Sequence, residues 1–231
     1  MKASRKAVTA VFVVLFGLAA IAIADTVGTL YDDFCCQTYT LVPDGTVSPN
    51  GLWVNIWNGQ GSSGVEFNAT TGYQFFEQPK TATGGSTRST LVRSNATWDD
   101  FEVSFDARTV KQLKSKPKNW EVDWILFRYT NTSNYYYFIS KKDGIEFGKK
   151  QGSDAQIFLY TAADPDKVLG QWYHYHINAV GNHFEISRDG SLIVNYTDTN
   201  MSSQLASGYI DMYTEDARVN FDNFWVQDLS P

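Results

Sequence analysis

The chain of 231 residues is 43% hydrophobic and 15% aromatic, with 19 Lys+Arg against 25 Asp+Glu. That is enough apolar material for one domain with a full core and short for two, and it excludes a disordered chain. The acidic balance argues against general binding to nucleic acid or to an anionic membrane.

The N-terminal residues read as an export signal. Lys2, Arg5 and Lys6 make a basic start, Val8 to Ile23 an apolar run, and Ala22-Ile23-Ala24 a small-x-small cleavage site. This predicts a signal peptide over residues 1–24 and a domain over residues 25–231, secreted or held at the cell surface. Membrane contact is expected only through the N-terminal segment, if it stays uncleaved as an anchor. Without it the chain keeps sixteen basic against 25 acidic side chains, a net of −9.

Cys35 and Cys36 are adjacent in "YDDFCCQTY". Neighbours on an extended strand point to opposite faces, so the spacing predicts two reduced thiols, or one bonded to another chain, rather than a bond between them. Export gives weight to the Asn-x-Ser/Thr sites at Asn68, Asn95, Asn131, Asn195 and Asn200, which are expected glycosylation sites.

From there on the dominant period is two. "FEVSFDAR" puts Phe101, Val103, Phe105 and Ala107 on one face and Glu102, Ser104, Asp106 and Arg108 on the other. About a dozen further segments alternate in this way or form short apolar runs, separated by turn signals such as Gly181-Asn182 and Asp189-Gly190. No sustained helical stripe follows Ala24. The pattern predicts an all-β, antiparallel two-sheet β-sandwich, with no linker or repeat to divide it.

Charge is concentrated between Arg108 and Lys150, which hold ten of the sixteen basic residues against Glu121, Asp123, Asp143 and Glu146. This reads as a solvated, basic edge or as a groove for an acidic ligand. Alternation along "NWEVDWILFRY" puts Trp120, Val122, Trp124, Leu126 and Arg128 on one face, opposite Glu121, Asp123, Ile125, Phe127 and Tyr129. Flat rings stack on pyranose faces and a guanidinium grips hydroxyls or a carboxylate. Trp120, Trp124 and Arg128, with Tyr137, Lys141, Glu146 and Lys149 from the next strands, are therefore the expected carbohydrate-binding residues. In "WYHYHINAVGNHFEIS" a two-residue loop at Gly181-Asn182 pairs Val180 with His183, Asn178 with Glu185 and His176 with Ser187. His174, His176, His183 and Glu185 then share one polar face, spread too far along the ladder to converge on zinc.

The segments "LYDDF", "WILFRYTNTSNYYYFISKKDGIEFGK", "GQWYHYHINAVGNHFEISRDGSLIVNYTD" and "GYIDMYTEDARVNFDNFWV" resemble the concanavalin A-like lectin/glucanase superfamily, which includes lectin-like and laminin-G-like modules, family 16 glycoside hydrolases and alginate-lyase-like enzymes. The resemblance spans nearly all of the chain beyond residue 24 and rests on Trp172, Asp189-Gly190 and the closing Phe221-Asp222-Asn223-Phe224-Trp225-Val226. It implies a jelly roll whose first and last strands run side by side, with a structural Ca²⁺ at Asp33 and Asp222. It does not imply one chemistry. In family 16 hydrolases the catalytic strand reads E-x-D-x-E or E-x-D-x-x-E. Glu121-Val122-Asp123 matches the first half, but Ile125 and Leu126 stand where the second Glu belongs, and a retaining hydrolase needs both carboxyls. The R-x-E-x-R and Q-I-H strands of alginate lyases are absent too. The sequence thus predicts a carbohydrate-binding domain for a polysaccharide, with an acidic one favoured by the basic groove. A polysaccharide lyase or glycoside hydrolase of the same fold, or a cell-surface adhesive glycoprotein, are the alternatives.

Overall fold

A computed structural model describes residues 29–153, 155–163 and 167–230. The expected signal peptide lies outside the described residues, and among these no helix is long and apolar enough to cross a membrane. Sixteen strands follow in order: β1 (Thr29–Asp32), β2 (Tyr39–Thr40), β3 (Trp53–Trp57), β4 (Ser62–Asn68), β5 (Gly72–Gln78), β6 (Ser89–Ser94), β7 (Phe101–Gln112) and β8 (Asp123–Asn131) come first. The second half holds β9 (Asn134–Lys141), β10 (Gly144–Gln151), β11 (Ile157–Ala162), β12 (Tyr173–Val180), β13 (His183–Arg188), β14 (Ser191–Thr197), β15 (Tyr209–Glu215) and β16 (Ala217–Asp228). Among the described residues a 3-10 turn at Ser203–Leu205 interrupts them.

These strands build the antiparallel two-sheet sandwich expected from the alternation, with the jelly-roll form that the resemblance implied. One sheet runs β14-β13-β12-β7-β16-β5-β4-β2, with β1 on β16; the other runs β11-β10-β9-β8-β15-β6-β3. The first and last strands are neighbours, Asp32 opposite Phe224 and Tyr31 opposite Trp225. β7 shows why period two forms a half-buried strand: Phe101, Val103, Phe105, Ala107 and Thr109 are buried, and the residues between them are not. The hairpin at Gly181-Asn182 has the predicted register, with Val180 opposite His183 and His176 opposite Ser187.

Between the sheets lies one aromatic-rich core, where Phe127 stacks on Tyr136 and Phe147 and Phe105 on Phe224. A second, smaller cluster, Leu91, Val122, Trp124, Leu126, Tyr129, Tyr137 and Ile139, covers the outer face of the seven-stranded sheet. Apolar side chains on both faces of a sheet leave its outer face only partly solvated, and that is where the site is found.

The cysteines depart from expectation. Cys35 and Cys36 are joined to each other. The expectation assumed an extended strand, but β1 ends at Asp32, and Phe34 (φ 52°) and Cys36 (φ 78°) turn the chain so that neighbouring side chains come to one side.

Candidate functional site

The seven-stranded sheet carries a row of facing residues across four strands: Glu146 on β10, Ile139 on β9, Trp124 on β8 and Tyr213 on β15. Strand spacing makes the row about 14 Å from end to end. Above it lie two adjoining hollows. One, of about 390 Å³, is lined by Trp120, Trp124, Lys141, Glu146, Gln156, Phe158 and Glu215. The other, of about 270 Å³, shares Trp124, Gln156 and Glu215 and adds Leu126, Tyr135, Lys150 and Tyr213. Together they form a trough with Trp124 in its floor.

Trp120 precedes β8 and stays 45% exposed, and Phe158, on the edge strand β11, is 60% exposed. Two open aromatic rings thus stand at the trough. Trp124 is nearly buried: its ring packs on Tyr137 and Tyr213 at centroid distances of 5.5 and 5.6 Å, and its indole N–H donates to the Trp120 carbonyl at 2.8 Å. That last bond fixes the approach of Trp120 to the trough. Gly148 is required here because the Tyr137 ring lies over its Cα, and any side chain would collide with the phenol.

The polar side of the trough is organised by Glu146. The Tyr137 hydroxyl donates to its Oε1 and the Lys141 ammonium to its Oε2, each at 2.9 Å. At the other end Glu215 Oε1 accepts the Tyr213 hydroxyl at 2.7 Å. Burial raises the Glu215 carboxyl above its ordinary value, with the nearby Asp216 and Glu121 carboxylates adding to it, and the Tyr213 hydrogen bond and then Lys114 offset this only in part. Burial and the Glu146 carboxylate drive the Tyr137 phenol far up, so it stays a neutral donor.

Of the residues predicted from sequence, Trp120, Trp124, Tyr137, Lys141 and Glu146 come together here. Arg128 and Lys149 do not. Arg128 is 0% exposed and turns inward. Its own backbone is the reason: φ is +47°, and a bulge shifts the register of β8 against both β9 and β15, so alternation fails after Phe127. Gly208 packs directly on the Arg128 backbone and leaves no room for a Cβ. The guanidinium then donates to the carbonyls of Asp99 (2.9 Å) and Gly181 (2.6 Å), reaches Asp100 at 3.3 Å and lies over the Phe184 ring. With a further reach to the Leu205 carbonyl at 3.5 Å, it ties three loops together and offers nothing to a ligand. Tyr129, expected opposite Trp124, joins Trp124 and Leu126 in the outer cluster instead.

Lys149 is also buried, donating to Asp198 (2.7 Å), the Asn200 carbonyl (2.6 Å) and Gln151 (2.9 Å). Alternation carried this signal, because Ile145, Phe147 and Lys149 share a face and Lys150 is the residue turned outward. Seven lining residues were not among the expected binding residues: Leu126, Tyr135, Lys150, Gln156, Phe158, Tyr213 and Glu215. The last two were legible in "YIDMYTE", where Tyr209, Asp211, Tyr213 and Glu215 share one face.

The Glu121-Asp123 pair is structural. Glu121 is buried and held by Lys114 at 3.1 Å, while Asp123 faces inward and takes the Lys167 ammonium at 2.5 Å and the Thr109 hydroxyl at 2.5 Å. His174 and His176 pair with Asp106 and Glu102 on the outer face of the nine-stranded sheet. At the seam, Asp33 Oδ1 caps the Cys35 N–H and Asp222 Oδ1 the Asn223 N–H. Burial, the Asp106 carboxylate and then Asp33 push Asp222 up to about 6. A divalent cation between Asp33 and Asp222 would relieve that repulsion, so the charges suit one, but among the described residues no third His, Cys, Asp or Glu joins them. Of the sequon asparagines, Asn95, Asn131, Asn195 and Asn200 are exposed and Asn68 is half-buried.

No curated protein matches the sequence. Among solved structures, the chain is similar to the carbohydrate-binding module CBM66 of Bacillus subtilis, with a TM-score of 0.57 and 18% identity over 76% of this chain and 95% of the other. It is also similar to the Bacillus licheniformis beta-glucanase, at 0.57 and 12% over 89% and 100%. A Bacillus subtilis protein of unknown function with a galectin-like fold gives 0.54 and 12% over 86% and 98%. At these identities the likeness is one of fold. The family described as the 3-keto-alpha-glucoside-1,2-lyase-like domain matches residues 50–227, and the chain belongs to it.

Proposed function

We propose that the trough binds a glycan, with Trp120 and Phe158 stacking on sugar rings and the Lys141–Glu146 pair and Gln156 taking hydroxyls. One observation carries this reading: two open aromatic rings stand beside a polar hollow that one or two sugar units would fill. Family membership and the fold of the carbohydrate-binding module support it. The preference for an acidic polysaccharide rested on a basic groove to which Arg128, Lys141 and Lys149 were expected to contribute. With Arg128 and Lys149 withdrawn, the trough holds Lys141 and Lys150 against Glu146 and Glu215, which suits a neutral glycan. A glycan array tests the reading: neutral oligosaccharides should bind, and Trp120→Ala should remove the signal without changing the melt. An array silent for every neutral glycan would overturn it.

A second reading, cleavage of the glycan, is favoured by one feature. Glu146 and Glu215 face the same hollow in different environments, one held by a lysine and a phenol, the other pushed towards its protonated form. Two carboxyls so divided are what a general base and a general acid require. New reducing ends, or absorbance from a new double bond, on incubation with polysaccharides would establish it.

We take the protein to be exported and glycosylated, with Ca²⁺ at Asp33 and Asp222. N-terminal sequencing of the mature chain and its gel shift after enzymatic deglycosylation test the first two. An adhesive role at the cell surface would fit the same export and glycans, and a silent array would favour it.

A further inference from the structure

Apart from the trough, where the chain leaves β1, there is a third hollow of about 210 Å³. It is lined by Asp32, Phe34, Cys35, Gln37, Tyr39, Pro49 and Asn50. At a liquid-water share of about 30 Å³ each, it has room for about seven waters. That is the bulk of one small, compact solute.

Its walls divide by chemistry. The Cys35–Cys36 bridge lies exposed at the turn and offers polarisable, apolar sulfur, and Pro49 and the Phe34 ring continue that surface. The Phe34 ring cannot swing away, because it packs against Trp53 and Phe75. The polar side is equally fixed. Asp32 Oδ2 accepts from the Trp53 indole and the Asn50 amide, both at 2.8 Å, and Asp32 Oδ1 accepts the Phe34 N–H at 2.8 Å. Asn50 in turn accepts from the Ser48 hydroxyl at 2.6 Å and from the Leu52 N–H at 3.1 Å. Only one of the two Asn50 amide hydrogens is used within this network.

One group has no partner. The Tyr39 hydroxyl is buried and makes no hydrogen bond to protein. A buried hydroxyl left without a partner is unfavourable, and a ligand hydroxyl would supply the missing bond. Burial, with the Asp32 carboxylate near, drives the phenol far above its usual range, so at physiological pH it keeps its proton and donates. Charged ligands fit poorly, because the only ionised neighbour in the lining is the carboxylate, and that carboxylate is already filled with donors.

We infer that this hollow is a second saccharide site, taking one neutral sugar unit. The apolar face of the ring lies on the Cys35–Cys36 bridge and Pro49, and its hydroxyls reach Tyr39, Asn50 and Gln37. It does not rest on the trough, which lies on the other sheet. Two sites on one domain would let a polymer be held at two points, raising avidity without tighter contacts at either.

The test uses the purified protein and six neutral monosaccharides (glucose, galactose, mannose, fructose, xylose and N-acetylglucosamine) at millimolar concentration, read by saturation-transfer NMR. At least one should show transfer. Tyr39→Phe and Gln37→Ala should each weaken it about three- to tenfold, the size of one hydrogen bond, with unchanged melting. Cys35→Ser together with Cys36→Ser should weaken it similarly, and Trp120→Ala should leave it intact. No transfer from any of the six would overturn the proposal. So would transfer that is lost with Trp120→Ala but kept with Tyr39→Phe, because it would then belong to the trough. Two thiols alkylated in the native, unreduced protein would also overturn it, since the sulfur platform would not exist.

Discussion

Trp124 and Arg128 stand four residues apart on one strand, and they belong to two different regions. Trp124 floors an open trough; Arg128 is sealed among loops, with Lys149 and Lys167 in comparable positions elsewhere along the inner side of the sandwich. In the open region the charges, Lys141 with Glu146 and Lys150 beside Glu215, stay within reach of water. In the sealed region each cation is held at short distance by a carboxylate or by several carbonyls: Lys149 on Asp198, Lys167 on Asp123, Arg128 on Asp99 and Gly181. Burial alone would raise the Asp198 carboxyl, yet Lys149 and the Tyr136 hydroxyl bring it below its usual range. Burial lowers Lys167 in spite of Asp123. Basic residues clustered in sequence are therefore not a basic surface in space. Several of them are struts.

The sharpest way to break this comparison is Arg128→Ala. If Arg128 is a strut, its loss leaves the Asp99 and Gly181 carbonyls without a donor and opens the space beneath the Phe184 ring, at a cost of about 3 kcal/mol or more. Denaturant unfolding should show that loss, while the affinity of the remaining folded protein for a trough ligand stays within a factor of two or so. A variant with normal stability and abolished binding would return Arg128 to the site.

Much of this was legible in the chain. Alternation in "FEVSFDAR" gave β7 its faces, and the same rule separated Trp120, Trp124 and Leu126 from Asp123, Ile125 and Phe127. It failed at Arg128, because a positive φ at a non-glycine residue has no local sequence signal and is imposed by the loops the side chain grips. Lys149 is a different failure. The period was there to be read, and the charge overrode it, since lysine is so rarely buried without a partner and that partner, Asp198, lies 49 positions away. The Cys35–Cys36 bridge depended on a turn at Phe34 that "DDFCC" does not announce. Phe158 and Gln156 could not be placed in advance, because which strand edges the trough is a matter of sheet order.

The sealed region also contains a carboxylate that pairs with no lysine. Burial pushes Glu77, at 0% exposure, up to about 8. A carboxyl whose folded value lies above its unfolded value near 4.3 binds more protons in the folded state between those two values. Stability is full below about pH 4 and falls as pH rises towards 8. Glu77→Gln should therefore stabilise the protein at pH 7 by up to about 3 kcal/mol and flatten the profile between about pH 4 and 8. Unfolding curves across that window check it; an unchanged profile would mean that Glu77 is solvated.

For the open region the expected effect is smaller and of the other kind. Trp120→Ala removes a half-exposed ring that anchors no core, so the melt should barely move. Trough affinity should fall by about 2 kcal/mol, or some thirtyfold, the usual consequence of truncating an aromatic anchor. Calorimetric titration with whichever neutral oligosaccharide the array selects gives both numbers from one preparation. Equal losses of stability and affinity would erase the distinction between the two regions.

The seam between β1 and β16 lies between these extremes, and it yields the smallest effect. Asp222 is half-buried, and its carboxyl is pushed up to about 6 by burial and by the Asp106 and Asp33 carboxylates. As with Glu77, the sign is that of a raised acid: the folded state is favoured while Asp222 holds its proton, and stability declines as pH rises from about 4 to about 6. Partial solvent access reduces the penalty to about 1 kcal/mol. A Ca²⁺ between Asp33 and Asp222 would reverse that logic, because a dication favours both ionised carboxylates and binds only the folded protein. At pH 7.5, added Ca²⁺ should raise the melting temperature above that in chelator, and Asp222→Asn should abolish the difference. Without calcium, Asp222→Asn should melt slightly higher than the parent protein, since it removes the repulsion and keeps the shape. If chelator and calcium give the same melt in the parent while Asp222→Asn still gains stability, the seam is a strained acidic contact with no ion, and the calcium proposal fails while the electrostatic one stands.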